Sequence, residues 1–305
     1  MATALDFRAL LKAERARARG APAAPARSDG AVAARPIAPL ESSRGAHDDY
    51  CLGRPRRALS LEAHRVEHAP ACVWHVPSWV TEEEEVALIR CADAAPPGRW
   101  TQLRGRRLQN LGGLPRPAGM APEPLPPWVA SVCGALVECG VFPPDAPPNH
   151  VLLNEYRPGE GIDAHRDGPL YAPRVAILSL GSHAPFEFLH DEPGRTRAGA
   201  LLLPPRGLLV FSDDAYERLL HTVPAREVDC AADYGAYLAD DFAKLANEFA
   251  DEPAADDRGA TRLRRRRRIS LTVRRVLQVM SEEEVDGAPL AKEWETRAAL
   301  AQWVG

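Results

Sequence analysis

The sequence predicts a mainly β protein with flanking helices, and three observations carry that expectation. Short apolar runs recur at regular spacing, among them Leu201-Leu202-Leu203 and Leu208-Leu209-Val210-Phe211. Tight-turn chemistry punctuates the strands, as in Arg157-Pro158-Gly159-Glu160-Gly161 and Pro204-Pro205-Arg206-Gly207. The longer helical patterns come at the start of this region, before the strands accumulate.

Composition bounds the answer further. The chain has 305 residues, 45% hydrophobic and 26% charged, which suits one soluble domain of about 200 residues plus tails. A net charge of −4 exerts no global pull toward nucleic acid, so any basic surface must be local. The six cysteines (Cys51, Cys72, Cys91, Cys133, Cys139, Cys230) form no CxxC pair, show no zinc spacing and fit a reducing compartment. No run approaches the roughly 20 apolar residues of a membrane span, and no signal-peptide core is present, so no membrane role is expected.

Residues 1–60 read as a disordered, low-complexity N-terminal region with one short helix. Phe7, Leu10 and Leu11 fall at helical spacing, Arg15, Arg17 and Arg19 follow, and an Ala/Pro/Arg-rich stretch runs from Gly20 to about Pro39. The helix has three readings: a docking segment for a protein partner, a helix without a role, or a transit peptide, the last opposed by Asp6 and Glu14.

The domain is expected over 61–280. Residues 71–76 read as a strand. A helix starts at Thr81, with Glu84 completing a capping box, and stops at Pro96-Pro97. A second helix spans 128–141, with Trp128, Val132, Leu136 and Val137 on one stripe. Then comes the stretch from Asn154 to Tyr171. Asn154 and Tyr156 share one strand face, a turn follows, and His165-x-Asp167 places an imidazole and a carboxylate on one side. Strands follow at 174–180 and 186–189. The run 201–211 reads as a hairpin, and a short helix over 215–220, capped in the region of Ser212-Asp213-Asp214, delivers His221.

An acidic insertion over about 225–267 departs from a compact barrel and is partly helical over 242–249. The run Arg264 to Arg268 that ends it reads either as a nuclear-localisation or nucleic-acid patch or, as favoured here, as pairing with the adjacent acidic stretch. Residues 268–274 alternate strictly: Arg268, Ser270, Thr272 and Arg274 share one face, opposite Ile269, Leu271 and Val273. The tail, 281–305, reads as an amphipathic helix with Trp294 and Trp303.

His165-x-Asp167 with His221 has the composition of a 2-His-1-carboxylate triad, which holds Fe(II) and leaves three positions open. A surface His–Asp pair and a histidine at a helix end are the bland alternatives. A strand face with two arginines and two hydroxyls suits a dicarboxylate, or else an exposed edge.

Together these residues resemble the AlkB family of Fe(II)/2-oxoglutarate dioxygenases, in order: Asn154-x-Tyr156, His165-x-Asp167, His221, and Arg268 followed by Arg274. Residues around Trp100, Arg107 to Asn110, Gly112 to Pro115, Leu125 to Trp128, Asn149 to Leu152 and Leu178 to Ser182 resemble one branch, the AlkB homologue six proteins, over roughly 65–278. The resemblance implies a double-stranded β-helix (jelly-roll) core with the metal between two sheets at one mouth. It implies Fe(II) on His165, Asp167 and His221, with 2-oxoglutarate and O2 as co-substrates and ascorbate as reductant. The distal carboxylate of 2-oxoglutarate would pair with Arg268, assisted by Tyr156 and Asn154, with Arg274 near the metal, holding Asp167 or the keto carboxylate.

The implied reaction is oxidative demethylation or hydroxylation of an alkylated base in RNA or DNA, presented by flipping, in nucleus and cytoplasm. Family loops near 100–110 cover the site, so Trp100, Arg106, Arg107, Gln109 and Asn110, with Tyr171, are the expected substrate contacts. An ordinary hairpin with solvated arginines is the alternative there. Other functional readings are the same chemistry on a protein, a non-turnover binding protein that keeps the fold, and a zinc hydrolase. The hydrolase would leave Asn154, Tyr156, Arg268 and Arg274 unexplained.

Overall fold

The computed structural model describes residue 52 and residues 56–116, 118–234, 238–249, 254–255 and 261–286. The N-terminal helix and the tryptophans of the C-terminal tail lie outside these residues. Strand β1 (Val73–Val76) leads into helix α1 (Glu82–Asp93). Two antiparallel pairs follow, β2 (Thr101–Gln102) with β3 (Arg107–Leu111), and β4 (Gly113–Arg116) with β5 (Gly119–Pro122). After helix α2 (Pro127–Glu138) the chain is almost all strand: β6 (His150–Tyr156), β7 (Ile162–His165), β8 (Tyr171–Leu180), β9 (Ala184–His190), β10 (Arg197–Leu203) and β11 (Leu208–Ser212). Helix α3 (Asp213–Glu217) precedes β12 (Leu219–Val223). Last come β13 (Val228–Cys230), α4 (Ala239–Phe249), β14 (Ala254–Ala255), β15 (Thr261–Arg264), β16 (Arg268–Val276) and α5 (Glu282–Asp286).

The major sheet has seven strands in the order β1-β11-β8-β16-β6-β3-β2, and the minor sheet four in the order β10-β9-β12-β7. All the pairings within them are antiparallel. Apolar side chains fill the space between the sheets, with Phe186, Phe188 and Phe211 in mutual ring contact at 5.3 to 6.0 Å. This is the expected jelly-roll core, mostly β with flanking helices. The other face of the major sheet packs under α1 and α2, through Leu153, Leu178 and Leu271 against Leu88, Val132 and Leu136. Both faces of the central strands are therefore buried, and β6 is buried at every position.

The start of α1 follows its sequence signal: Thr81 accepts from Glu84 N, and Glu84 returns the bond to Thr81 N. The packed chain begins earlier than the expected Leu61. Leu52 joins the helix-side core and donates its amide to Ser131 Oγ at 2.8 Å, and Arg56 forms a buried pair with Glu84.

Two expectations are corrected. His221 is not delivered by a helix: α3 stops at Glu217, and His221 lies inside β12, opposite Phe188 on β9 and His165 on β7. Ser212 also makes no side-chain cap to α3. The insertion adds the expected helical segment, α4, and a separate three-stranded sheet, β13-β15-β14, outside the two barrel sheets. Its Tyr234, Leu238, Phe242 and Leu263 cover Ala200 and Leu202 on the outer face of β10. Of the two readings of the arginine run, the continuous surface patch is the one that fails, while Arg265 pairs inside the insertion, as favoured. Arg265 forms a bidentate pair with buried Asp229 at 2.7 Å, Arg267 reaches Asp93 and Glu155, and Arg268 turns into the pocket described below. Arg264 and Arg266 are the members that face outward.

Candidate active site

Strand parity decides which side chains meet. Opposed residues of an antiparallel pair share a face. Arg268, Ser270, Thr272 and Arg274 on β16 stand opposite Tyr156, Asn154, Leu152 and His150 on β6. All of these face the minor sheet, and a cavity between the sheets is lined by Asn154, Tyr156, Arg268, Ser270, Thr272 and Arg274 together with His165, Asp167 and His221.

At one end of this cavity the nearest ligand atoms of His165, Asp167 and His221 lie within 4.8 Å of one another. Register explains the two histidines, which face each other directly across β7 and β12 with ring centroids 4.3 Å apart. His165 Nδ1 lies 2.8 Å from the Asp163 carbonyl oxygen, which makes Nδ1 the protonated nitrogen and leaves Nε2 as a lone-pair donor. His221 is stacked on Phe186, with centroids 5.4 Å apart. Burial and the neighbouring His221 push His165 down to about 3. Burial and Arg274 push His221 down to about 3 as well. Both imidazoles are thus held neutral, the form that ligates metal.

Asp167 Oδ1 accepts from Arg274 Nη1 at 2.8 Å, whereas its Oδ2 is buried without a partner. A buried carboxylate oxygen with no donor, beside two neutral imidazoles, fits a divalent cation. The loop that carries Asp167 is pinned by Tyr216 on α3, whose hydroxyl donates to the Gly168 carbonyl oxygen at 2.9 Å.

At the other end sits Arg268, 3% exposed. Its Nη2 donates to Ser179 Oγ at 2.9 Å and its guanidinium carbon lies 5.5 Å from the Tyr156 ring centroid. Nε has no partner, and no carboxylate pairs with it among the described residues. Burial pulls its pKa down to about 10, still cationic at neutral pH. A buried guanidinium fork without a carboxylate fits an anionic ligand that brings one.

The expected substrate contacts divide by parity. Arg106 is buried on the cavity side and donates to Asn154, and Asn110 meets His150 at 3.2 Å. Arg107 and Gln109 stand opposite Glu155 and Leu153, on the helix-covered face. There Arg107 pairs with Glu155 at 2.8 Å and lies 4.1 Å over the Trp100 ring. Trp100, Arg107 and Gln109 therefore serve packing on the far side of the sheet, not the cavity, and of the arginines of this hairpin Arg106 and Arg107 are not simply solvated, whereas Arg104 is exposed. Tyr171 is also reassigned. It is 3% exposed, and Arg274 lies 4.4 Å over its ring, so it supports the cation that holds Asp167. Ser179, His150 and Tyr216 were missed in the sequence. Ser179 and His150 carried a signal, since each is in phase with the cavity face of a strand already recognised, Ser179 with Ile177 and His150 with Leu152, Asn154 and Tyr156.

The 2OG-Fe(II) oxygenase superfamily model matches residues 115–274. A zebrafish (Danio rerio) protein described as probable RNA/DNA demethylase ALKBH6 is 35% identical over 235 residues, 74% of this chain and 94% of its own. The Macaca fascicularis tRNA (carboxymethyluridine(34)-5-O)-methyltransferase ALKBH8 is 26% identical over 181 residues, 54% of this chain and 26% of its own. The solved structure of OsALKBH1 aligns over 67% of this chain and 98% of its own, at 17% identity and a TM-score of 0.44. The family model and the zebrafish relative agree with the triad: the chain belongs to the 2OG-Fe(II) oxygenase superfamily and is a dioxygenase of AlkB type.

Proposed function

We propose that this dioxygenase oxidises an alkyl group on a base of RNA or DNA, with the base flipped into the cavity. The observation that carries the reading is the open charge pattern of the cavity, a buried Asp167 oxygen without a donor at one end and a buried Arg268 without a carboxylate at the other. The substrate class follows the zebrafish relative, matched along 94% of its length.

In this reading His165 Nε2, His221 and Asp167 Oδ2 hold Fe(II). Arg268 takes the distal carboxylate of 2-oxoglutarate, with Asn154 and Tyr156 beside it. Arg274 does not move a proton; it holds Asp167 by Oδ1 and so aims Oδ2 at the metal position. The apolar rings of Phe186 and Phe211 around His221 exclude water from that side. When bound, Fe(II) with 2-oxoglutarate and O2 supplies oxidation of a substrate C–H bond coupled to decarboxylation of 2-oxoglutarate to succinate. Ascorbate serves to keep the iron ferrous. An N-methyl group hydroxylated in this way leaves as formaldehyde.

The test is turnover of N-methylated single-stranded RNA and DNA oligonucleotides with Fe(II), 2-oxoglutarate and ascorbate. Formaldehyde should appear with succinate, require oxygen, and vanish in His165→Ala. Succinate without formaldehyde, together with no oligonucleotide binding at low salt, would overturn the nucleic-acid substrate and leave the dioxygenase in place.

A further inference from the structure

Arg106 sits in the short turn between β2 and β3, yet its side chain reaches Asn154, which lines the cavity. It is 6% exposed, and its Nε donates to Asn154 Oδ1 at 2.9 Å. A guanidinium has donors and no acceptor, so it can face only the oxygen of an amide. The orientation of Asn154 is therefore dictated by chemistry: Oδ1 toward Arg106, and the NH2 group left for the cavity that Asn154 lines with Arg268 and Ser270.

The hairpin that carries Arg106 is itself held at its tip. Leu103 N donates to Arg106 O at 2.8 Å, and Gly161 N donates to Gly105 O at 3.1 Å. A Cβ on Gly105 would stand 2.7 Å from the Gly161 carbonyl oxygen, so the tip lies directly on the turn that enters β7. β7 ends at His165. The contacts that seat the hairpin thus lie within one residue of the side chain that orients the Asn154 amide.

We propose that Arg106 is a positioning residue that couples the β2–β3 hairpin to the co-substrate end of the cavity. Seated, it presents the Asn154 NH2 as a donor to a carboxylate. Displaced, it leaves the amide able to turn its oxygen toward that carboxylate and repel it. Coupling is reciprocal, so a bound dicarboxylate must also hold the hairpin down. The inference rests on the reading of this cavity as the 2-oxoglutarate site.

The test uses the full chain loaded with Mn(II) under anaerobic conditions, so that binding is read without turnover. The 2-oxoglutarate dissociation constant is measured by calorimetry for wild type, Arg106→Met, Arg106→Lys, Asn154→Ala and Arg106→Met/Asn154→Ala. Loss of a charge-assisted hydrogen bond predicts about tenfold weaker binding in Arg106→Met, with part of the loss restored in Arg106→Lys. In the Asn154→Ala background the Arg106 change should add nothing. Amide hydrogen exchange over residues 101–108 should slow on adding 2-oxoglutarate in wild type and not in Arg106→Met. Unchanged affinity in Arg106→Met, even with lowered thermal stability, would overturn the proposal, as would full additivity with Asn154→Ala. Failure of wild type to bind 2-oxoglutarate is a different result, and would overturn the co-substrate reading first and this coupling with it.

Discussion

The two ends of β16 bury the same side chain on the same face of the same strand and give it opposite surroundings. Arg274, 0% exposed, has Asp167 at 2.8 Å and the Tyr171 ring beneath it. Burial works against its charge, but Asp167 and the nearby tyrosines outweigh it and raise its pKa. Arg268, 3% exposed, has a hydroxyl and a ring, and burial lowers its pKa to about 10. One end is an internally closed ion pair and the other is half of one. The closed pair belongs to the fold and aims a ligand; the open half identifies where the missing anion comes from outside.

The largest expected effect separates the two ends by stability. Arg274→Met leaves the Asp167 carboxylate buried and unpaired, a loss of about 3–5 kcal/mol. Arg268→Met removes a charge that has no counter-ion, so metal-free and ligand-free protein should lose less than about 1 kcal/mol, or gain. Urea unfolding of both variants measures this, and equal losses would erase the distinction. The open end then has a second signature. At a hundredfold excess over its dissociation constant, 2-oxoglutarate should stabilise wild type by about 2.7 kcal/mol, and Arg268→Met not at all.

The closed end should also answer to acid. His165 and His221 are pushed down to about 3, and burial with Arg274 beside it holds His150 well below its usual range. Their folded pKa values lie below the unfolded value of about 6.5, so the unfolded chain binds more protons as the pH drops. Their contribution is complete above about 6.5 and is lost as the pH falls toward 3. The unfolding midpoint of metal-free protein should therefore fall from pH 7 to pH 4, and fall less in His221→Leu. A midpoint independent of pH over that interval would mean these imidazoles are not buried neutral.

Much of this contrast was legible before any coordinates, for a definable reason. Alternation over 268–274 and the Asn154-x-Tyr156 and His165-x-Asp167 spacings are local, and period-two geometry converts them directly into a shared face. What failed was non-local. Ala215, Tyr216, Leu219 and Leu220 have helical spacing, but pairing of β12 with both β9 and β7 ends the helix at Glu217 and places His221 in a sheet. The arginine run looked like one feature because it is contiguous. Three partners among the described residues, Asp229, Glu155 and Asp93, come from three separate places in the chain. Trp100, Arg107 and Gln109 looked like site residues because a loop was expected where a strand pairs with β6, and one step along a strand changes the face.

That last point yields the smallest effect and the sharpest control. Arg106 and Arg107 are sequence neighbours, one turned to Asn154 in the cavity and the other to Glu155 on the helix side. Arg107 is half-buried, and Glu155 keeps Arg267 as a second partner, so Arg107→Ala should cost only about 0.2–1 kcal/mol by thermal unfolding. Its 2-oxoglutarate affinity should match wild type, because β3 still pairs with β6 and Arg106 keeps its hold on Asn154. If Arg107→Ala weakened co-substrate binding as much as Arg106→Met, the hairpin's mere position would matter rather than the bond to Asn154. The two faces of this strand would then act as one.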